Sequence, residues 1–152
     1  MNMIYHGSYE VVKKPLIIKG KYTKDFGYGF YCTRNKEQAE KWTKKYKTPV
    51  VNTYYLKDLE DLRVKKFEEY NEEWLDFVVH CRNDGIHDFD IVEGFMADDT
   101  IYEEIHEYLN GKIDKAVFLD MMASEWSKKR QISFHSARAL SKIVFLDSYE
   151  IE

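Results

Sequence analysis

The residues best suited to chemistry in this 152-residue chain are few and scattered. The stretch YHGSYE (5–10) puts His6, Gly7 and Ser8 side by side, giving an imidazole, a backbone without a Cβ and a hydroxyl. The stretch DFGYGFYCT (25–33) holds Gly27 and Gly29 immediately before Phe30 and Tyr31. Glycines here let a ligand come close to the backbone while Tyr31 presents its ring; they equally suit a tight turn that opens a strand. Trp42 follows eleven positions after Tyr31, and Gln131 opens the run QISF. The paired acids Asp98 and Asp99 carry carboxylates at a helix start, where capping and dipole stabilisation also account for them. Glu93 and Glu125 are weaker carboxylate candidates.

Several familiar chemistries are excluded by pattern. The two glycines precede a strand, whereas a dinucleotide fingerprint follows a strand, adds a third glycine and opens a helix. There is no P-loop, HExxH or GxSxG motif. Among the histidines, His80 and His87 lack ligand-spaced partners, His80 reads as a core or interface residue, and His106 reads as exposed. His135, after a strand, fits either environment. Cys32 and Cys81 have no metal-ligand spacing and read as reduced structural thiols in a cytoplasmic protein, so no metal is expected.

The elements that must position these residues follow from periodicity and punctuation. A first strand over 2–7 is expected to stop at Gly7-Ser8, followed by an irregular stretch over 8–29 with one Pro and three Gly. A strand over 29–33 leads to a helix over 34–47 with Asn35 as N-cap and Ala39, Trp42 and Tyr46 on one face. Strands are expected over 50–57 and 62–67, then an amphipathic helix over 71–84 capped by Asn71, with Trp74, Leu75 and Val78 inward. A short strand over 89–96 precedes helices over 98–112 and 114–127, and strands over 131–135 and 141–151 close the chain. The irregular mixture predicts one α+β domain over 1–152 with mostly antiparallel strands.

Composition narrows function. Net charge is -4, with acids and bases interspersed, which argues against a general nucleic-acid or membrane-surface binder. No apolar run approaches the roughly 18 residues of a membrane span, and no signal peptide is apparent. The basic run SKKRQ (127–131) reads as a solvated loop.

In order, YHGS, FGYGFYCT, a helix carrying Trp42 and a late QISF strand resemble the ADP-ribosyltransferase superfamily, in the branch of poly-ADP-ribose polymerases and diphtheria toxin. With DIVEG and ADDTIY added, the chain is most similar to the bacterial domain-of-unknown-function family numbered 3990. The resemblance implies an ADP-ribosyltransferase-like fold, with two small, mostly antiparallel sheets around a central NAD cleft and flanking helices. It implies NAD as substrate, held by His6, Gly7, Ser8, Tyr31 and Trp42: the two aromatics sandwich the nicotinamide, the Gly7 backbone pairs with its carboxamide, and His6 bonds a ribose hydroxyl. His6, Tyr31 and Gln131 then form the catalytic set, with Asp98 and Asp99 as auxiliary carboxylates.

Two positions depart from that pattern. Gln131 stands where the superfamily carries its catalytic glutamate, and Ala39 stands where polymerase relatives often have a serine that touches the carboxamide. A glutamine keeps the hydrogen bond to a ribose hydroxyl but not the charge, and electrostatic stabilisation of this type is worth about 2.7–4 kcal/mol. The resemblance therefore implies either a mono-ADP-ribosyltransferase acting on a protein or nucleic-acid acceptor, or a weakly active NAD- or partner-binding module. By analogy, the setting is a cytoplasmic toxin or defence protein with an antitoxin partner.

Overall fold

The computed structural model describes residues 2–20, 24–97, 99–124 and 129–152, without the side chains of Asp99 and Ser124. The run MIYHGS, with Ile4 and Ser8 buried, forms β1 (Met3–Ser8), which pairs antiparallel with β3 (Val50–Leu56), and β3 pairs in turn with β7 (Ile143–Glu150). The second sheet runs β2 (Phe30–Cys32), β6 (Arg130–Phe134), β5 (Ile91–Phe95) and β4 (Val64–Lys66), with only the β4–β5 pair parallel. Five α-helices stand among the described residues: α1 (Lys36–Trp42), α2 (Glu72–Arg82), α3 (Asp99–Leu109), α4 (Lys115–Ser124) and α5 (Ala137–Leu140). The protein is therefore α+β with two small open sheets.

Among the described residues, one isolated β-bridge joins the sheets. The Tyr5 and Thr33 backbones exchange two hydrogen bonds of 2.8 and 2.9 Å, which ties β1 to the end of β2. Ile4, Phe30, Cys32, Tyr54, Ile132 and Phe134 form the core between them. A second core, built on Phe26, Phe67, Trp74, Val78, Ile105 and Phe118, packs α2, α3 and α4 against the other sheet. The free thiols of Cys32 and Cys81 are buried.

Asn35 and Asn71 cap α1 and α2 as their sequences predict, each accepting from the backbone N–H three residues on. Four expectations are corrected. Gly7 and Ser8 lie within β1 because both still pair with β3, at Val51 and Val50. The first helix ends at Trp42 rather than running to 47: Thr43–Lys45 tighten into a 3₁₀ turn and Tyr46 becomes extended, ahead of Pro49. His80 is exposed, its Nε2 bonded to the Ile86 carbonyl at 2.7 Å, rather than a core residue. The one-turn helix α5, capped by Ser136, was not expected. No described helix is long and apolar enough to cross a membrane.

Candidate functional site

A cleft of about 1020 Å³ opens beside β1, and His6, Gly7, Ser8, Tyr31, Trp42 and Gln131 all line it. They arrive from four elements, β1, β2, α1 and β6, so the cleft exists only when the two sheets are joined.

Gly7 explains how α1 comes to overhang β1. A Cβ there would stand 2.6 Å from the Ala39 carbonyl oxygen and 2.9 Å from Thr43 Cγ2, so only glycine lets the helix pack this closely and bring Trp42 to the rim. Gly7 also has a chemical consequence. The Tyr5 backbone bonds to Thr33 and so faces away from β3; two residues on, the N–H and C=O of Gly7 face the same way. A donor and an acceptor side by side suit an amide such as a carboxamide.

His6 presents one defined face. Its Nδ1–H donates to the Tyr31 carbonyl at 2.7 Å, which leaves Nε2 as an acceptor in the neutral ring. Burial pulls its pKa down to about 4, so the ring is neutral near pH 7. It packs on Phe30, with centroids 4.3 Å apart. Such a nitrogen accepts from a hydroxyl. The Ser8 hydroxyl, at the end of β1, accepts weakly from the Glu10 N–H at 3.4 Å.

Tyr31 is held more tightly than its sequence suggests. Only 7% exposed, it accepts from the Phe26 N–H at 3.0 Å and donates to the Gly27 carbonyl at 2.6 Å. The ammonium of Lys24 lies 5.2 Å from the ring centre, so a ligand ring stacking there displaces Lys24. Burial and the nearby Lys45 pull the Lys24 pKa down.

Gln131 is 6% exposed, and its Nε2–H donates to Asp25 Oδ2 at 3.0 Å. Asp25, just ahead of the glycine pair, is the principal group that sequence reasoning missed. Its Oδ1 takes the Arg82 guanidinium from α2, at 2.8 Å to Nε and closer to Nη2, while Oδ2 also accepts from the Ala97 N–H at 2.8 Å. The signal was present in KDFGYG, but an acid before glycine reads as ordinary turn chemistry.

The other carboxylates offer little. Glu93 is buried and holds Arg34 through both oxygens, at 2.8 and 3.3 Å, beside a smaller hollow of about 280 Å³ that Gln131 also lines. Asp98 and Glu125 lie outside the described residues, as does the side chain of Asp99, whose backbone begins α3. Ser133 lies 2.7 Å from His135 Nε2, but the serine is fully buried and His135 Nδ1 bonds the Tyr28 carbonyl rather than an acid, so this is no hydrolase triad. No group of three metal-ligating side chains occurs among the described residues.

Charge completes the picture. Among the described residues, six cations line the cleft (Lys13, Lys14, Lys24, Lys45, Arg82 and Lys129) against two carboxylates, Glu10 and Asp25, in a chain of net charge -4. A surplus of this sign in a concave site favours an anionic ligand.

The chain belongs to the family described as protein of unknown function (DUF3990), whose model matches residues 2–145. No curated protein and no solved structure matches it.

Proposed function

We propose that this DUF3990 protein is an NAD-dependent mono-ADP-ribosyltransferase with an ADP-ribosyltransferase-like fold, releasing nicotinamide and passing ADP-ribose to a macromolecular acceptor. The observation that carries the reading is the convergence of His6, Gly7, Ser8, Tyr31, Trp42 and Gln131 on one cation-lined cleft. NAD combines a carboxamide, two riboses and a pyrophosphate, and the cleft offers a counterpart to each. The outward backbone of Gly7 pairs with the carboxamide, and Tyr31 and Trp42 enclose the nicotinamide. Nε2 of neutral His6 accepts from a ribose hydroxyl, and the lysines face the pyrophosphate.

In the reaction, the bond between nicotinamide and ribose breaks and its electron pair returns to the pyridine ring, discharging the ring cation. The sugar passes through an oxocarbenium-like state and is captured by the acceptor nucleophile, which loses its proton if it carried one. The aromatics hold the leaving group in line, and Gln131 accepts from the ribose 2′-hydroxyl.

A second reading has a specific observation behind it. Gln131 is uncharged, and both oxygens of neighbouring Asp25 are occupied, so among the described residues none beside it supplies a free negative charge. On that reading the cleft binds NAD or ADP-ribose without turnover. Incubating the purified chain with NAD, with and without a cell lysate, separates the two. Nicotinamide release that rises with lysate supports transfer. A raised melting temperature without nicotinamide supports binding alone, and neither signal would overturn both.

A further inference from the structure

We infer that Asp25 is a positioning residue that fixes the amide of Gln131 with its Oε1 as the free acceptor, and that a carboxylate at position 131 is incompatible with it. The inference deepens the transferase reading, because it says how the position normally held by a glutamate works in this chain.

The geometry leaves Asp25 no alternative partner set. Four donors converge on its two oxygens: Nε and Nη2 of Arg82 on Oδ1, and the Ala97 N–H and Gln131 Nε2–H on Oδ2. An asparagine would turn its own N–H₂ against at least one of these donors, so only a carboxylate satisfies all four. Asp25 is 5% exposed, which makes the loss of any one bond costly. Its backbone cannot drift either: the next residue, Phe26, is fully buried, and its carbonyl accepts from His87 Nε2 at 2.8 Å.

Gln131 inherits that rigidity. Turned the other way, its Oε1 would face the Asp25 oxygen, two acceptors in contact, so the flip is excluded. Its Oε1 accepts from no described residue and remains the polar end for a donor in the cleft, such as a sugar hydroxyl. This also answers why the chain has glutamine here. A carboxylate at 131 would oppose that of Asp25 at about the same 3.0 Å, in a site both residues keep from water. Two such groups cannot both ionise and would share a proton. Among the described residues, the charged groups around the pair are Arg82 from α2, Lys24 and Lys129 in the cleft, and Arg34, Glu93 and Arg130 in the smaller hollow, with the titratable Tyr31 of β2 and Cys81 of α2 also near Asp25. Arg82 already spends its Nε and Nη2 on Asp25, and Arg34 is engaged by Glu93.

The sign of the pH effect follows. In Gln131→Glu the introduced carboxyl titrates higher in the folded chain than its unfolded value of about 4.3, so the stability it contributes is lost as pH rises through the folded value. The test measures melting temperature from about pH 5 to about pH 9, together with nicotinamide release, for the wild type and Gln131→Glu. The expected gap between the two melting curves is small at the acid end and widens with pH, and the variant is no faster than wild type at neutral pH. Parallel melting curves, or turnover raised by roughly 10-fold or more at neutral pH, would overturn the inference. Asp25→Asn provides the kinetic arm: kcat is expected to fall at least about 10-fold while KM for NAD changes less, since the acceptor at the reacting ribose is misplaced while the remaining NAD contacts stay. Equal losses in both parameters would count against a positioning role. If the wild type releases no nicotinamide, the transferase reading fails, yet the two melting curves still decide whether Asp25 governs position 131.

Discussion

The two walls of the cleft are built in opposite ways. On one side, three successive carbonyls of the glycine turn are each taken by a side chain: Phe26 by His87 at 2.8 Å, Gly27 by Tyr31 at 2.6 Å and Tyr28 by His135 at 2.8 Å. Gly27 turns there at φ +91°, and Asp25 anchors the near end through Arg82. On the other side, the chain leaving β1 is held at Val12, whose N–H donates to Asn52 and whose carbonyl accepts from Tyr54. Beyond Val12 the wall loosens: Leu16 and Ile18 line the cleft at 68% and 74% exposure. The pinned wall is preorganised, so it orders little on ligand binding. The loose wall has apolar side chains that gain cover only when something enters.

The sharpest way to break the contrast is Arg82→Ala, which strands the buried Asp25 carboxylate. Removing one partner of such a pair costs about 3–5 kcal/mol, and thermal melting should show it as the largest loss of any single change here. Acid should loosen the same wall without a mutation. Burial holds His6 and His135 down to about 4 from an ordinary 6.5, and it lowers His87 in the same direction. The unfolded chain therefore binds protons that the folded chain refuses, so stability present above 6.5 is lost as pH falls towards 4. The ceiling is about 3 kcal/mol for each strongly shifted ring. Melting curves across that window should show the fall, and His135→Gln should make it shallower, with the share of His6 and His87 remaining.

Tyr31→Phe is a milder cut. It removes the hydroxyl that the Phe26 N–H and the Gly27 carbonyl share, for about 1–3 kcal/mol, and chemical denaturation should report it. Leu16→Ser with Ile18→Ser belongs at the bottom, with stability changed by no more than about 0.5 kcal/mol at each site. If the loose wall covers ligand, the same pair should weaken NAD binding visibly in a titration. A large stability loss there would erase the distinction between the walls.

What sequence made legible divides along the same line. The strand positions of His6 and Gln131 and the helix position of Trp42 were readable because each sits in a short local pattern, whereas their grouping came only from the resemblance to a known family. The helix caps Asn35 and Asn71 were readable for the same reason. Asp25 was not, since its partners Arg82, Ala97 and Gln131 lie 57, 72 and 106 residues away and no periodicity links them. Tyr31 was read as an open ring because nothing local says that its hydroxyl turns back on its own turn. His80 was misread because its position in an apolar helix run ignores which face α2 buries: Trp74, Leu75, Val78 and Cys81 go inward and His80 does not. Helix α5 is a single turn, too short for a periodic signal.

The most direct measurement is calorimetric titration of NAD into the folded wild type, Trp42→Ala and His6→Ala. Saturable binding by the wild type, weakened in both variants, is the expected result for an NAD cleft between β1, β2, α1 and β6. Absence of binding by folded wild type, or an affinity that neither variant changes, would contradict it.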